Sequence, residues 1–289
     1  LESFNNNGSD ENFNLDFLNN IYDVIERSKY PELCLNYIFN PIIGKKIIWE
    51  PLGCKLSNNE KKSKNIINPD EFFTIRLDGK NFSSVIPKLQ KLKIFEEGYS
   101  QTFEKIMKDI AYYSINLLKN VLYVFTQSDE IIILVNRVKI TKKRKDFFSH
   151  EYKGRKDKLI SLSAGYISTK FYQFLIKSII NNNNIINKTE YIDLLPEISF
   201  DSRIGTYSSL NDAFELILWR SYDCSINGIN QSLYLSDKIG YEKIKTLNSE
   251  EKLQLLNNKG MLPLRNHQAY GTLLKKDFSG IKKCSHKFT

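Results

Sequence analysis

Between residues 69 and 240 the sequence gives strand, helix, hairpin, helix and strand signals in that order, which predicts an α+β domain. The expected core is an antiparallel sheet with helices on one face, the ferredoxin-like or polymerase-palm arrangement. Two observations carry this: the β-branched runs are short and stopped by turn residues, and the helical patterns between them are long. The segments 1–68 and 241–289 are expected to pack around the core as N- and C-terminal extensions. The first opens on the polar stretch Asn5-Asn6-Asn7-Gly8-Ser9, read as disordered.

Ser57 to Asn68 is polar and lysine-rich and reads as a linker or exposed loop. The first strand follows as Phe72-Phe73-Thr74-Ile75-Arg76-Leu77, stopped by Asp78-Gly79. From Gln101 to Leu118, Phe103, Ile106, Met107, Ile110, Ala111, Ser114, Leu117 and Leu118 recur at three and four, which is helical spacing. Val121 to Phe125 and Ile131 to Val135 flank Thr126-Gln127-Ser128-Asp129-Glu130, a hairpin with a polar tip. A long helix is expected over 158–180, with an asparagine insertion at 181–184. A strand over 198–206 and a helix from Leu210 towards Asn230 complete the core.

Composition bounds the function. The 289 residues are 41% hydrophobic, and no apolar run approaches the roughly 18 residues of a membrane span. The net charge of +9 draws the chain to polyanions without naming one. Cys34, Cys54, Cys224 and Cys284 lie far apart, and His150, His267 and His286 form no local cluster. Disulfide and zinc frameworks are therefore poor readings, and reduced cysteines in an intracellular protein are expected. Leu1 opens the sequence in place of Met, so cytoplasm and mitochondrion are equally compatible with it.

The chemistry is expected where Asp78 ends the first strand and Asp129 and Glu130 stand at the hairpin tip. In a ferredoxin-like sheet the first strand lies in the middle, beside the hairpin, so these carboxylates come close. Two such groups repel unless a cation lies between them. Oxygen ligands beside room for phosphates suit Mg²⁺. Each feature also has a plainer reading: Asp-Gly is a common turn, and an Asp at a hairpin tip is usually solvated.

Four motifs in order extend the argument. Arg76-Leu77-Asp78-Gly79-Lys80-Asn81-Phe82, Gln127-Ser128-Asp129-Glu130, Phe200-Asp201-Ser202-Arg203 and Trp219-Arg220-Ser221-Tyr222-Asp223-Cys224 resemble those of the tRNA-His guanylyltransferase family. The resemblance covers roughly residues 72–234. It implies a nucleotidyltransferase that adds nucleotides to the 5′ end of tRNA or a tRNA-like RNA, in the 3′-to-5′ direction. By resemblance two Mg²⁺ ions are held by the Asp78 side chain, the Gly79 carbonyl and the Asp129 side chain, with Glu130 in support. GTP, and in some reactions ATP, are the implied substrates. Lys80, Asn81, Phe82, Ser128 and Asn227 join the implied nucleotide-binding set, and Arg155 and Lys158 are the implied triphosphate pair. The resemblance also implies a homotetramer, a dimer of dimers.

The chain departs from the family where His-x-Asn-Asn is expected after Asp-Cys and Ser225-Ile226-Asn227-Gly228 stands instead. That favours a tRNA 5′-end repair or editing polymerase over the strict His-tRNA enzyme. It also motivates the alternative, an RNA-binding palm protein with lost or narrowed catalysis. Lys142 to Lys145 reads as an RNA backbone contact. Trp219 and Tyr222 read as core or interface residues on an amphipathic helix, Asp201 and Arg203 as a pair on one strand face, and His267 as structural or exposed.

Overall fold

The computed structural model describes residues 50–61, 66–138, 149–182, 185, 187–237, 241–277 and 280–284. The initial asparagine stretch and the Lys142 to Lys145 run lie outside these residues. Six strands form one antiparallel sheet: β1 (Phe72–Gly79), β2 (Val121–Gln127), β3 (Glu130–Val135), β4 (Phe200–Tyr207), β5 (Thr272–Asp277) and β6 (Gly280–Cys284). Their order is β4-β1-β3-β2-β5-β6. The first four have the ferredoxin-like order, with β1 between β3 and β4 as the sequence predicts. Residues 272–277 and 280–284 do not pack around this sheet as separate elements; they extend it, because β5 pairs with β2 and β6 with β5.

Both faces of the sheet are covered, where one was expected. Alternate residues of β1 and β3 point to opposite faces. Phe73, Ile75, Leu77, Ile131, Ile133 and Val135 join one buried cluster; Phe72, Ile132 and Leu134 join another. The first cluster lies under α2 (Phe82–Lys91), α3 (Gln101–Ser114) and α4 (Lys156–Asn181). The second lies under α1 (Glu50–Lys61) and α6 (Leu210–Asp237). The short α5 (Lys188–Asp193) follows α4 and leads towards β4. The physical reason for two covered faces is legible in β3, where every residue from Glu130 to Val135 is buried. A strand that is apolar throughout needs cover on both sides.

The linker expected over Ser57 to Asn68 is partly helix, since α1 runs to Lys61 and buries Leu52 and Leu56, one turn apart. Gly53 of α1 lies against the Trp219 indole, where an added Cβ would stand 3.1 Å from its nitrogen. Past α6, the helices α7 (Tyr241–Thr246), α8 (Ser249–Asn258) and α9 (Asn266–Tyr270) pack with its C-terminal half around Ile229, Leu233 and Leu253. Phe82 at the start of α2 meets Phe103, Phe171 and Phe200 at 5.2–6.0 Å between ring centroids. That knot fixes the turn that leaves β1. A Cβ on Gly79 would come within 2.4 Å of the Phe82 ring, so only glycine fits there.

Candidate active site

The carboxylates are brought together by sheet register. Asp78 stands opposite Glu130 on one side and Asp201 on the other. Ser128 and Asp129 form a two-residue hairpin turn, with Ser128 at φ 44°, in the left-handed region. The Gly79 N–H donates to the Asp129 carbonyl at 3.1 Å, which ties the turn to the end of β1. Asp78, Ser128, Asp129, Glu130 and Asn227 all line one cavity of about 660 Å³. It opens off this end of the sheet, between the start of α3 and the long polar stripe of α6.

Burial pushes the Asp129 carboxyl up to about 6, and the charge of Asp78 adds to the push. Two oxygen-bearing side chains in conflict beside a cavity are the condition that a hard cation relieves. The set of Asp78, Asp129 and the Gly79 carbonyl is all oxygen and fits Mg²⁺. Among the described residues no three His, Cys, Asp or Glu side chains form a metal-holding group. A cation here would complete its shell with water and phosphate oxygens, as Mg²⁺ commonly does.

Glu130 has a different task from that of a ligand. It is 3% exposed, and Arg220 donates to both of its oxygens, Nε to Oε1 at 2.7 Å and Nη2 to Oε2 at 2.6 Å. Burial raises the Glu130 carboxyl, and the Arg220 charge works against that rise. Burial opposes the charge on Arg220, but Glu130, Asp223 and Asp78 outweigh it and raise the guanidinium further. Arg220 also reaches Asp223 at 3.0 Å, and Asn227 donates to Asp223 at 3.2 Å. Arg220, Asp223 and Asn227 follow one another by three and four, on one face of α6. Arg220 was legible in the Trp-Arg motif but carried no role there.

The Ser225 and Gly228 departures have structural counterparts. Ser225 is fully buried and its hydroxyl donates to the Tyr222 carbonyl at 2.7 Å. A Cβ at Gly228 would stand 2.4 Å from the Gln268 carbonyl oxygen, so α9 packs where an asparagine side chain would begin. That approach places His267 and Gln268 on the cavity wall. His267 is 6% exposed, with Nδ1 2.9 Å from the Thr272 hydroxyl, so it is structural and not exposed. Tyr99, whose hydroxyl donates to Glu104 at 2.9 Å, lines the cavity as well, with Arg265 over its ring. No local pattern could have found these residues, because tertiary packing alone assembles them. Burial, with the nearby Asp223 charge, pushes the Cys224 thiol up, so it stays protonated and is no nucleophile.

Other expected residues lie elsewhere. Phe82 is core, and Lys80 and Asn81 are exposed on the turn into α2, Asn81 at φ 58°. Arg155 and Lys158 sit at the start of α4, at the other end of the sheet. Ile66 bridges to Arg155 before β1 begins, whereas Asp78 stands near the end of β1. The strand between them spans about 20 Å at 3.3 Å per residue. The pair therefore does not share the carboxylate cavity of its own chain. The reason is topological: β3 carries the chain away from the Asp129 turn before α4 starts. Arg155 instead pairs with Asp157 at 2.6 Å. Asp201 and Arg203 pair at 3.2 Å, and Tyr222 is core, as read from sequence.

Comparison with known proteins agrees with the geometry. The family model described as tRNAHis guanylyltransferase matches residues 55–208. An uncharacterized protein of Acanthamoeba polyphaga mimivirus is 31% identical over 240 residues, covering 80% of this chain and 78% of that protein. The tRNA(His) guanylyltransferase of Debaryomyces hansenii is 23% identical over 171 residues, 59% of this chain and 56% of its own. A bacterial tRNA(His) guanylyltransferase-like protein solved in complex with ATP shares the fold at TM-score 0.60 and 18% identity, over 82% of this chain and 92% of that one. The Saccharomyces cerevisiae tRNA(His) guanylyltransferase gives 0.59 at 18% identity, over 79% and 94%.

Proposed function

Because the chain belongs to the tRNAHis guanylyltransferase family, a family of nucleotidyltransferases, we propose that it adds nucleotides to the 5′ end of tRNA or a tRNA-like RNA in the 3′-to-5′ direction. The observation that carries this reading is the pairing of Asp78 and Asp129 at one end of a nucleotide-sized cavity, with Asp129 held at about 6. The residues fit two Mg²⁺ ions held by Asp78, Asp129 and the Gly79 carbonyl. Bound there, Mg²⁺ would activate the attacking 3′-hydroxyl and neutralise charge on the departing pyrophosphate.

The chain's own residues do the rest. α2 opens at Phe82, three residues after Gly79, and the leading N–H groups of a helix favour phosphate. Lys80 and Asn81, exposed beside Gly79 and outside the cavity lining, would meet the outer phosphates, and Ser128 on the cavity wall the inner ones. Arg220, held by Glu130 and Asp223, stands on the cavity wall, and Asn227 offers a carboxamide two turns further along α6. GTP and ATP are the substrates that solved relatives suggest, since a bacterial tRNA(His) guanylyltransferase-like protein has been solved in complex with each. Repair or editing of a tRNA 5′ end fits the replaced His-x-Asn-Asn residues better than strict His-tRNA specificity.

Calorimetric titration of GTP with and without Mg²⁺ tests the site. The expected result is binding that Mg²⁺ tightens at least about tenfold and that Asp78→Asn and Asp129→Asn abolish. Binding indifferent to Mg²⁺ and to both substitutions would favour the RNA-binding alternative.

A further inference from the structure

The outer face of the helical layer, remote from the cavity, carries an array of lysines and aromatic rings that the nucleotidyl site does not use. On α4, Lys170 Nζ lies 5.2 Å from the Tyr113 ring centroid and 5.7 Å from that of Tyr166. Lys177 Nζ lies 5.5 Å from the Phe174 ring. Tyr113 and Phe174 touch at 5.6 Å, and Tyr112 meets Tyr113 edge-on at 5.9 Å. Tyr166, Lys170 and Phe174 follow one another by four, so they form one ridge of the helix. From Tyr166 to Lys177 the ridge is about 16 Å long at 1.5 Å per residue.

Three features make the ridge a surface for a polyanion. Tyr112 and Tyr113 are each 48% exposed, an unusual display of aromatic area on a helix face. Among the described residues neither Lys170 nor Lys177 makes an ion pair, and Lys170 donates only to the neutral Gln173 amide at 3.1 Å. The acid one turn before Tyr113, Asp109, is taken by Lys105. A second copy of this chain is a poor occupant. A two-fold contact through this ridge would bring its lysines against themselves, in a protein that already carries +9. RNA meets both halves of the pattern, with phosphates for the lysines and sugar or base faces for the half-exposed rings.

The geometry points to the Tyr166–Lys177 ridge of α4, with Tyr112 and Tyr113 of α3, as a docking track for the backbone of the RNA whose 5′ end enters the cavity. This rests on the proposed reading of RNA as substrate. Arg155 and Lys158 stand at the start of the same helix, so the expected phosphate-binding pair becomes the far end of a basic track.

The test compares wild type, Lys170→Glu/Lys177→Glu, the milder Lys170→Gln/Lys177→Gln, and a control carrying Lys245→Gln/Lys259→Gln, two exposed lysines, one in α7 and one at the end of α8, off the ridge. Affinity for a tRNA transcript is measured over a range of salt concentrations. GTP binding and oligomeric mass are measured in parallel. The ridge variants should lose about tenfold in RNA affinity and flatten the log–log salt dependence by about two, with the control and GTP binding unchanged. RNA affinity and salt slope equal to the control would overturn the track. So would a change of oligomeric mass with RNA affinity intact, which would make the ridge a contact between copies. If wild type binds GTP but no RNA, the substrate reading fails and the track with it.

Discussion

Asp129 sits in a tight turn with its carboxyl largely out of water and the Asp78 charge beside it, so ionising it in the metal-free protein costs free energy. The sign follows from the protons bound. The folded chain keeps this proton to about pH 6, whereas the unfolded one releases it near 3.8. Stability therefore falls as pH rises through that window and stays reduced above it, by up to about 3 kcal/mol. In chelator at pH 7.5, Asp129→Asn should raise the urea-unfolding free energy by about 1–3 kcal/mol while nucleotidyl transfer is lost. An unchanged or lowered stability would remove the electrostatic conflict from the account. Glu130 and Arg220 predict the reverse. Arg220→Met leaves the buried Glu130 carboxylate to the more distant Arg76, 4.0 Å away, and should cost about 3–5 kcal/mol, and adding Glu130→Gln should restore much of it. A double-mutant cycle showing additive losses would count against their coupling.

At the scale of elements, periodicity made most of the fold legible. β1, the β2–β3 hairpin, α3, α4 and β4 were readable from apolar spacing to within a few residues at their ends, and α6 was readable too but runs seven residues past Asn230. α1 was not, because its polar sequence offers only Leu52 and Leu56 as an apolar stripe. α2 has Pro87 inside it, a residue that usually breaks helices, and is held instead by the Phe82 ring knot. β5 gives too brief an apolar signal, Leu273 and Leu274 alone, and gains its place by pairing with β2. Two glycines separate packing from propensity. Gly228→Ala must push α9 off α6 and should destabilise by about 1–3 kcal/mol. Gly165, on α4 with open space where its Cβ would be, should become more stable by about 0.5–1 kcal/mol as alanine. Thermal or urea unfolding of the two variants checks both signs; stabilisation at Gly228 would mean that α9 packs elsewhere.

Across the whole molecule, the carboxylate pair was legible and its surroundings were not. Asp78 and Asp129 are announced by turn chemistry at two strand ends, which the sheet register then joins. Arg155 and Lys158 look equally local in sequence, but the length of β1 parts them from the pair. Tyr99, Glu104 and His267 come from segments more than 150 residues apart and converge only in the folded cavity. Among the described residues no helix is long and apolar enough to cross a membrane.

The most direct test of the central claim is 5′-end extension. The protein would be incubated with labelled GTP, Mg²⁺ and tRNAs that lack the 5′ nucleotide and carry either a mono- or a triphosphate end. The account predicts product lengthened at the 5′ end, restoring base pairs, dependent on Mg²⁺ and absent with Asp78→Ala. RNA bound but never lengthened on either end, or full extension by Asp78→Ala, would contradict it.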